Sequence, residues 1–238
     1  MQYWKMVKEI GSSNDKWAEI IAVKCEILEN LLKSLNLVAS RILFLQFNPI
    51  ALNLREKYDI TIVCDSSLKE VYDCDDVTII SDLSQASGKF DIVFGLDEYF
   101  THAKSEIEQR SLIDNVAAIT QGWLITTLQD YKNFAPHKKN QIDALTFSGT
   151  NNYIVLESCL PDKTDRQVWD HYWYVIKNHN DLTTIGPVKR RTMYFKQLAK
   201  FSMDAGASDF LVHKNLMYKS LIKKNYEHVI SIRFENGY

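Results

Sequence analysis

Four short apolar runs in the first half of the chain each end in side chains able to accept hydrogen bonds from a ligand. The ends read Gln46-Phe47-Asn48-Pro49, Cys64-Asp65-Ser66-Ser67, Ser81-Asp82-Leu83-Ser84 and Gly95-Leu96-Asp97-Glu98. Three of the four carry an aspartate. A carboxylate placed there accepts from hydroxyl or amine groups of a bound molecule. Aspartate is also a common turn and cap residue, so Asp65 and Asp82 each have a purely local reading beside the ligand-binding one. After the fourth run, Asp97, Glu98, Tyr99 and His102 are the candidates for moving a proton. Of these, His102 alone has an ordinary pKa suited to that work near neutrality. It reads equally well as a loop histidine that caps or faces water.

The second half contributes the stretch Val168-Trp169-Asp170-His171-Tyr172-Trp173-Tyr174-Val175. As a strand it puts Trp169, His171 and Trp173 on one face and Asp170, Tyr172 and Tyr174 on the other. Such a strip serves as domain core, as a subunit contact making a homodimer, or as a wall against a substrate. The histidines His137, His171, His179 and His213 lack the paired spacing of a zinc site, and no metal is expected. Cys25, Cys64, Cys74 and Cys159 include no C-x-x-C pair, which fits reduced thiols in the cytoplasm. The basic clusters Lys189-Arg190-Arg191 and 219–224 read as solvated faces.

The elements that must position these groups are legible from the hydrophobic pattern. Trp17, Ile20, Ile21, Ile27, Leu28, Leu31, Leu32 and Leu35 recur at helical spacing after the caps of Ser12-Ser13-Asn14-Asp15, predicting one amphipathic helix within a helical segment 1–40. Runs at 42–47, 60–64, 77–80, 90–94 and 123–127 are strand-like, and several are too apolar to face water on either side. Parallel strands covered by helices have that property. A crossover helix is predicted over 105–121, with Ser105 and Glu108 as capping box and Gly122 at the C′ position. A shorter one spans 48–57, with Asn48 as cap and Pro49 at the first helical position. Residues 132–150 read as a polar loop. Strands at 153–157 and 168–176 make an antiparallel hairpin, inserted over 145–190, about the turn Pro161-Asp162-Lys163. A helix over 192–205 closing at Gly206 and strands at 210–213 and 229–234 complete the chain.

In this layout the chain, from about Arg41 to its C-terminus, resembles the class I S-adenosylmethionine-dependent methyltransferases. The resemblance implies an α/β, Rossmann-like, seven-stranded and mostly parallel sheet with helices on both faces, an N-terminal helix, the inserted antiparallel hairpin, and one domain over 1–238. In that family an acidic residue ending the second strand binds the ribose hydroxyls, which here falls on Asp65. One after the third strand meets the adenine amino group, which falls on Asp82. Phe90-Asp91-Ile92-Val93-Phe94-Gly95-Leu96-Asp97 looks like the strand beside the methyl group and acceptor. Gln121-Gly122-Trp123-Leu124-Ile125 is similar to the passage into the fifth strand, Ala205-Gly206-Ala207 to that into the sixth, and 229–234 to the last strand, inserted antiparallel. Gln46, Phe47, Asn48, Asp65, Ser66, Asp82, Leu83, Gly95 and Leu96 would then surround S-adenosylmethionine. Asp97 and His102 would stand at the reacting methyl, and Tyr99, Trp169, His171 and Trp173 against the acceptor. The family's glycine-rich loop after the first strand is replaced by Leu45-Gln46-Phe47-Asn48-Pro49-Ile50, without glycine. A bound cofactor would be displaced there or held by side-chain amides. A non-catalytic binding or assembly module that has lost the cofactor is the competing expectation.

Composition narrows the remaining classes. With 28 Lys+Arg against 30 Asp+Glu, the net charge of −2 argues against a binder of nucleic-acid backbones. The absence of G-x-G-x-x-G and Walker A loops argues against dinucleotides and nucleotide phosphates. Neither Asp-Pro-Pro-Tyr nor Asn-Pro-Pro-Tyr occurs, nor a Pro-Cys nucleophile, which tilts the acceptor toward a small molecule. No apolar run approaches the roughly 18–20 residues that span a bilayer. The charges among the first twenty residues deny a signal peptide its apolar stretch. A soluble cytoplasmic protein is expected.

Overall fold

The computed structural model describes residues 2–12, 15–35, 41–72, 74–129, 141–165, 167–213 and 227–234. Helices α1 (Gln2–Ser12) and α2 (Asp15–Ser34) come first. They lead into β1 (Arg41–Phe44), α3 (Ile50–Leu54), β2 (Asp59–Val63), α4 (Ser67–Tyr72), β3 (Thr78–Ile80) and β4 (Phe90–Gly95). Then follow α5 (Glu106–Ile119), β5 (Thr120–Gln129), β6 (Gln141–Phe147), β7 (Tyr153–Pro161), β8 (Val168–Lys177) and β9 (Asp181–Arg191). The chain continues through α6 (Phe195–Asp204), β10 (Ala207–His213) and β11 (Glu227–Phe234). Single 3-10 turns at Leu83–Gln85 and Tyr99–His102 follow β3 and β4. Among the described residues no helix is long and apolar enough to cross a membrane.

Seven strands form one sheet in the order β10-β11-β5-β4-β1-β2-β3, and β6 to β9 form a second, antiparallel sheet in sequence order. Within the large sheet β1 to β5 pair in parallel, while β11 runs antiparallel to both β5 and β10. Period-two alternation sends successive side chains to opposite faces. Ile42, Phe44, Ile92 and Phe94 therefore join the core beneath α2 and α3, while Leu43, Leu45 and Val93 join the one beneath α5 and α6. Phe44 and Phe94 stack with centroids 4.8 Å apart, each about 1% exposed. Burial of each such ring contributes about 1.5–3 kcal/mol.

Helices α1 and α2 wedge between the two sheets. Leu28, Leu31 and Leu32 of α2 belong to the large-sheet core. Trp17 and Ile20, with Tyr3, Met6 and Ile10 of α1, pack on Tyr153, Val155, Trp173, Val175 and Ile185 of the small sheet. The aromatic start of the chain is thus a helix of its own, where a single amphipathic helix was expected within the helical segment 1–40. Its stripe of Tyr3, Met6 and Ile10 makes sense only against a partner sheet. The expected hairpin pairs as read, β7 against β8, but it is the middle of four strands. β6 lies within the stretch expected to be loop. β9 contains Gly186-Pro187, ordinarily a strand breaker, and tolerates it as an edge strand whose proline needs no ladder donor.

Capping follows the sequence closely. Ser105 Oγ accepts from the Glu108 N–H at 3.1 Å, and Glu108 Oε2 reaches back to the Lys104 N–H at 2.7 Å. Asn48 Oδ1 accepts from the Ile50 N–H at 3.0 Å, but the helix expected over 48–57 is only Ile50–Leu54, with Pro49 at its N-cap position. Helix α5 nevertheless stops at Ile119, before the expected C′ glycine, and Gly122 lies within β5. There a Cβ would stand 2.4 Å from the Asp91 carbonyl oxygen, so the glycine is needed for the close approach of β4 and β5. Gly122→Ala is expected to cost about 1–3 kcal/mol of stability in urea denaturation, through forced separation of the two strands. A variant as stable as the parent would show that this approach relaxes freely.

Candidate active site at the strand ends

The carboxyl ends of β2 and β3 carry Asp65 and Asp82, both exposed. Asp65 Oδ1 accepts from the Ser67 N–H at 2.9 Å, and Asp82 Oδ1 from the Ser84 N–H at 2.8 Å. Hydrogen bonds from the Ser67 and Ser84 side chains, and then from their N–H groups, hold both carboxyls below the usual range, and the Lys5 charge of α1 adds to the effect at Asp65. The cap and ligand readings are therefore compatible. A carboxylate offers about four lone-pair sites, and capping takes one oxygen. Ser66 is exposed beside Asp65, and Leu83 is half-buried beside Asp82. The Tyr99 hydroxyl is pushed up by burial and by the charge of Asp82, which places it at this end of the cleft.

The turn after β1 meets the end of β4 through side chains. Gln46 Nε2 donates to the Leu96 carbonyl at 2.9 Å, and Asn48 Nδ2 donates to Asp97 Oδ2 at 2.9 Å. Two amides thus stand where a glycine loop would leave bare backbone. Phe47 turns away from the cleft. It is 1% exposed, 5.2 Å from the Trp4 ring and 4.4 Å from the Tyr72 ring, and the Tyr72 hydroxyl donates to the Trp4 carbonyl at 2.6 Å. Of the residues expected around a cofactor, Phe47 is the one carried into an aromatic core instead. Gly95 and Leu96 are buried at the end of β4, with the Gly95 carbonyl accepting from Thr126 Oγ1.

Beyond β4 the backbone takes the left-handed conformation twice in succession, at Asp97 (φ 52°) and Glu98 (φ 57°). Neither is glycine, and such residues cost about 1–3 kcal/mol each unless the surroundings hold them. Here the surroundings do. The Glu98 N–H donates to Thr127 Oγ1 at 3.1 Å, its carbonyl accepts from the Thr101 N–H and hydroxyl, and Oε1 accepts from the Gln129 N–H at 3.1 Å. Oε2 pairs with Arg190 Nη1 at 2.8 Å. The pair is nearly dry, with side chains 3% and 12% exposed. It ties the end of β4 to β9, and so the large sheet to the small one.

Under this latch the inner face of the small sheet approaches the cleft. The Tyr3 ring lies 5.0 Å from Trp173, whose ring is 6.2 Å from His171. Tyr3 is half-buried. Burial, and then the charges of Asp97 and Glu157, push its hydroxyl far up, while Arg190 pulls the other way. Burial also raises Glu157, but its contact with His171 and the Arg190 charge outweigh that and leave the carboxyl lowered. Asp97, Glu157 and Arg190 thus act electrostatically on Tyr3, and His171 and Arg190 on Glu157. Trp169 stays apart: it is 2% exposed, with Nε1 donating to Thr192 Oγ1 at 3.1 Å. His137 lies outside the described residues.

His102 sits at the rim of a cavity of about 310 Å³ that Lys104, Asp165, Arg190 and Arg191 help to line. Although the residue reaches the surface, the surrounding protein, Arg190 and His171 push its pKa down to about 4. It is therefore neutral at pH 7 and a weak proton acceptor, unlike the ordinary histidine that the sequence suggests. A lowered histidine pKa stabilises the native state above the unfolded pKa of about 6.5, and that contribution is lost as pH falls toward the folded value. His102→Gln is expected to flatten the fall in melting temperature between about pH 7 and about pH 4.5. An identical pH profile would remove His102 from the account.

Sequence reasoning did not select Tyr3, Glu157 or Arg190. Tyr3 lay in an unassigned aromatic start, and Arg190 in a basic run that looked solvated. Glu157 stood on the expected hairpin with nothing in its spacing to mark it.

A seven-stranded sheet with one antiparallel insertion at β11, helices on both faces and carboxylates at the ends of β2 and β3 is the fold of the class I S-adenosylmethionine-dependent methyltransferases. Among solved structures, DesVI from Streptomyces venezuelae is similar at a TM-score of 0.71 and 11% identity, over 90% of this chain and 92% of that one. The sugar N-methyltransferase KedS8 from Streptoalloteichus gives 0.69 at 12% identity, over 91% and 88%. S-adenosylmethionine-bound CalS10, an amino pentose methyltransferase from Micromonospora echinaspora, gives 0.68 at 10% identity, over 88% and 90%. At these identities the likeness is one of fold. No family model matches the chain, nor does any curated protein sequence.

Proposed function

We propose that this protein transfers a methyl group from S-adenosylmethionine to an amine of a small molecule. The observation that carries the reading is the pair of exposed aspartates, Asp65 and Asp82, at the ends of adjacent strands beside the β1/β4 switch point, where open α/β sheets bind their ligands. The nucleoside end of the cofactor fits this chain, with Asp65 accepting from the ribose hydroxyls and Asp82 from the adenine amine. When bound, the cofactor supplies an electrophilic methyl group on sulfur. Gln46 and Asn48 would flank its amino-acid end through their amides.

The chain's own contribution is mainly alignment, which methyl transfer chiefly requires. Asp97 and Glu157 present negative charge around Tyr3, and Tyr3 with Trp173 presents aromatic surface, a combination that attracts a cationic amine. Asp97, held by Asn48, would take the proton that the amine releases. The names of KedS8, a sugar N-methyltransferase, and CalS10, an amino pentose methyltransferase, support an amine acceptor.

A thermal-shift titration tests the cofactor. At about a hundred times its dissociation constant, S-adenosylmethionine adds about 2.7 kcal/mol to native stability, a rise of several degrees. No shift at millimolar concentration would defeat the proposal.

One observation favours a second reading, a non-catalytic assembly module. The Gln46–Leu96 and Asn48–Asp97 hydrogen bonds cross the cleft where the methionine part of the cofactor would lie. The outer face of β8, where Tyr172 and Tyr174 stack at 6.2 Å, would then make a homodimer contact. A dimer in light scattering that Tyr174→Glu dissociates, together with no cofactor shift, is the result this reading expects.

A further inference from the structure

The small sheet holds a group of donors that the proposed methyl transfer does not use in full. Glu157 and Cys159 stand two apart on β7 and share a face, and the β7–β8 register sets His171 directly across from Cys159. Cys159 Sγ lies 3.4 Å from His171 Nδ1 and 3.5 Å from Nε2, and Glu157 Oε1 lies 3.4 Å from Nδ1. All three donors fall within 4.8 Å of one another. Cys159 and His171 are 7% and 6% exposed.

We propose that Glu157, Cys159 and His171 form a binding site for a single borderline-soft divalent cation, of which zinc is the best match. In tetrahedral zinc sites the bond lengths of about 2.3 Å to sulfur and about 2.0–2.2 Å to nitrogen and oxygen put neighbouring ligands about 3.3–3.6 Å apart. The Sγ–Nδ1 and Nδ1–Oε1 separations have that size. The donor set also discriminates, since thiolate and imidazole favour zinc over magnesium or calcium, which take oxygen ligands. A thiolate and a carboxylate together neutralise the cation, the thiolate and imidazole from the buried side and the Glu157 carboxylate, 38% exposed, from the side open to water, and its capture releases the thiol proton. The sulfur is now nearly as close to Nε2 as to Nδ1. Binding therefore turns the Cys159 side chain onto the Nδ1 side of the ring. The backbone carrying all three residues is already fixed by the β7–β8 ladder. Arg190, whose charge bears on Glu157, is itself anchored on Glu98. Three protein donors leave a fourth position for water or a small ligand, the pattern of catalytic zinc sites and not of closed structural ones. Sequence spacing hides the group, because its pairing runs across two strands and not along one.

Cobalt(II), a spectroscopic stand-in for zinc, tests the site in the reduced full-length chain. We expect one equivalent to bind, with thiolate-to-cobalt charge-transfer absorption and the intense visible bands of a four-coordinate ion, and zinc to displace it. Cys159→Ser should abolish the charge-transfer band, Glu157→Gln should weaken cobalt binding at least about tenfold, and Cys64→Ser should change neither. Absence of the band in folded, reduced protein, or its survival in Cys159→Ser, overturns the site. If Cys159→Ser does not fold, undiminished affinity in Glu157→Gln overturns it instead.

Discussion

Arg190→Met should lower the unfolding free energy by about 3–5 kcal/mol, because it strands the Glu98 carboxylate in a nearly dry site. The loss is large for a position that looks in sequence like one charge in a solvated run. It should be largely recovered in Glu98→Gln/Arg190→Met, where the amide oxygen still accepts from the Gln129 N–H and no buried charge remains. Urea denaturation of the two single variants and the double variant gives the coupling. A loss below about 1 kcal/mol, or strict additivity, would mean that water reaches the pair and that the latch between the sheets is illusory. The consequence for the site follows directly. The left-handed turn at Asp97 and Glu98 loses one of its anchors, and the Asn48–Asp97 contact is expected to loosen with it.

Asp65→Ala should weaken S-adenosylmethionine about ten- to a hundredfold in calorimetry, the usual scale for a charged hydrogen-bonding partner. The effect should fall on binding and only slightly on folding, since the residue is exposed and its structural duty is a single cap to Ser67. Asp82→Ala should have a smaller effect of the same kind, because the two N–H bonds of the adenine amine diverge and offer that carboxylate one hydrogen, whereas two ribose hydroxyls can both donate to Asp65. Unchanged affinity in Asp65→Ala would remove the nucleoside from the end of β2.

What the sequence made legible follows the physics that fixes each element. The strands β1, β2 and β4 and helix α5 were readable because their signals are local: unbroken apolar runs for strands buried on both faces, and a cap followed by a 3.6-residue stripe. Asp65 and Asp82 were readable because a strand end is located as soon as the strand is. Helix α1 was not, since its buried stripe faces a sheet formed more than a hundred residues later in the chain. β9 was concealed by Gly186-Pro187, harmless only because the strand is an edge. Arg190 and Glu98 each look ordinary until the fold brings them to 2.8 Å. His102 kept its apparent suitability as a base until Arg190 and His171 proved to be neighbours that disfavour its charge. The polar half of the candidate site is tertiary in origin, and only its strand-end carboxylates were written in local pattern.

The most direct measurement is a crystal structure obtained with millimolar S-adenosylmethionine, backed by calorimetry in the same buffer. The account predicts the ribose on Asp65, the adenine amine toward Asp82, and the amides of Gln46 and Asn48 beside the amino-acid end. A nucleoside bound elsewhere, or a cleft still crossed by the Gln46–Leu96 and Asn48–Asp97 hydrogen bonds with no heat of binding, would contradict it.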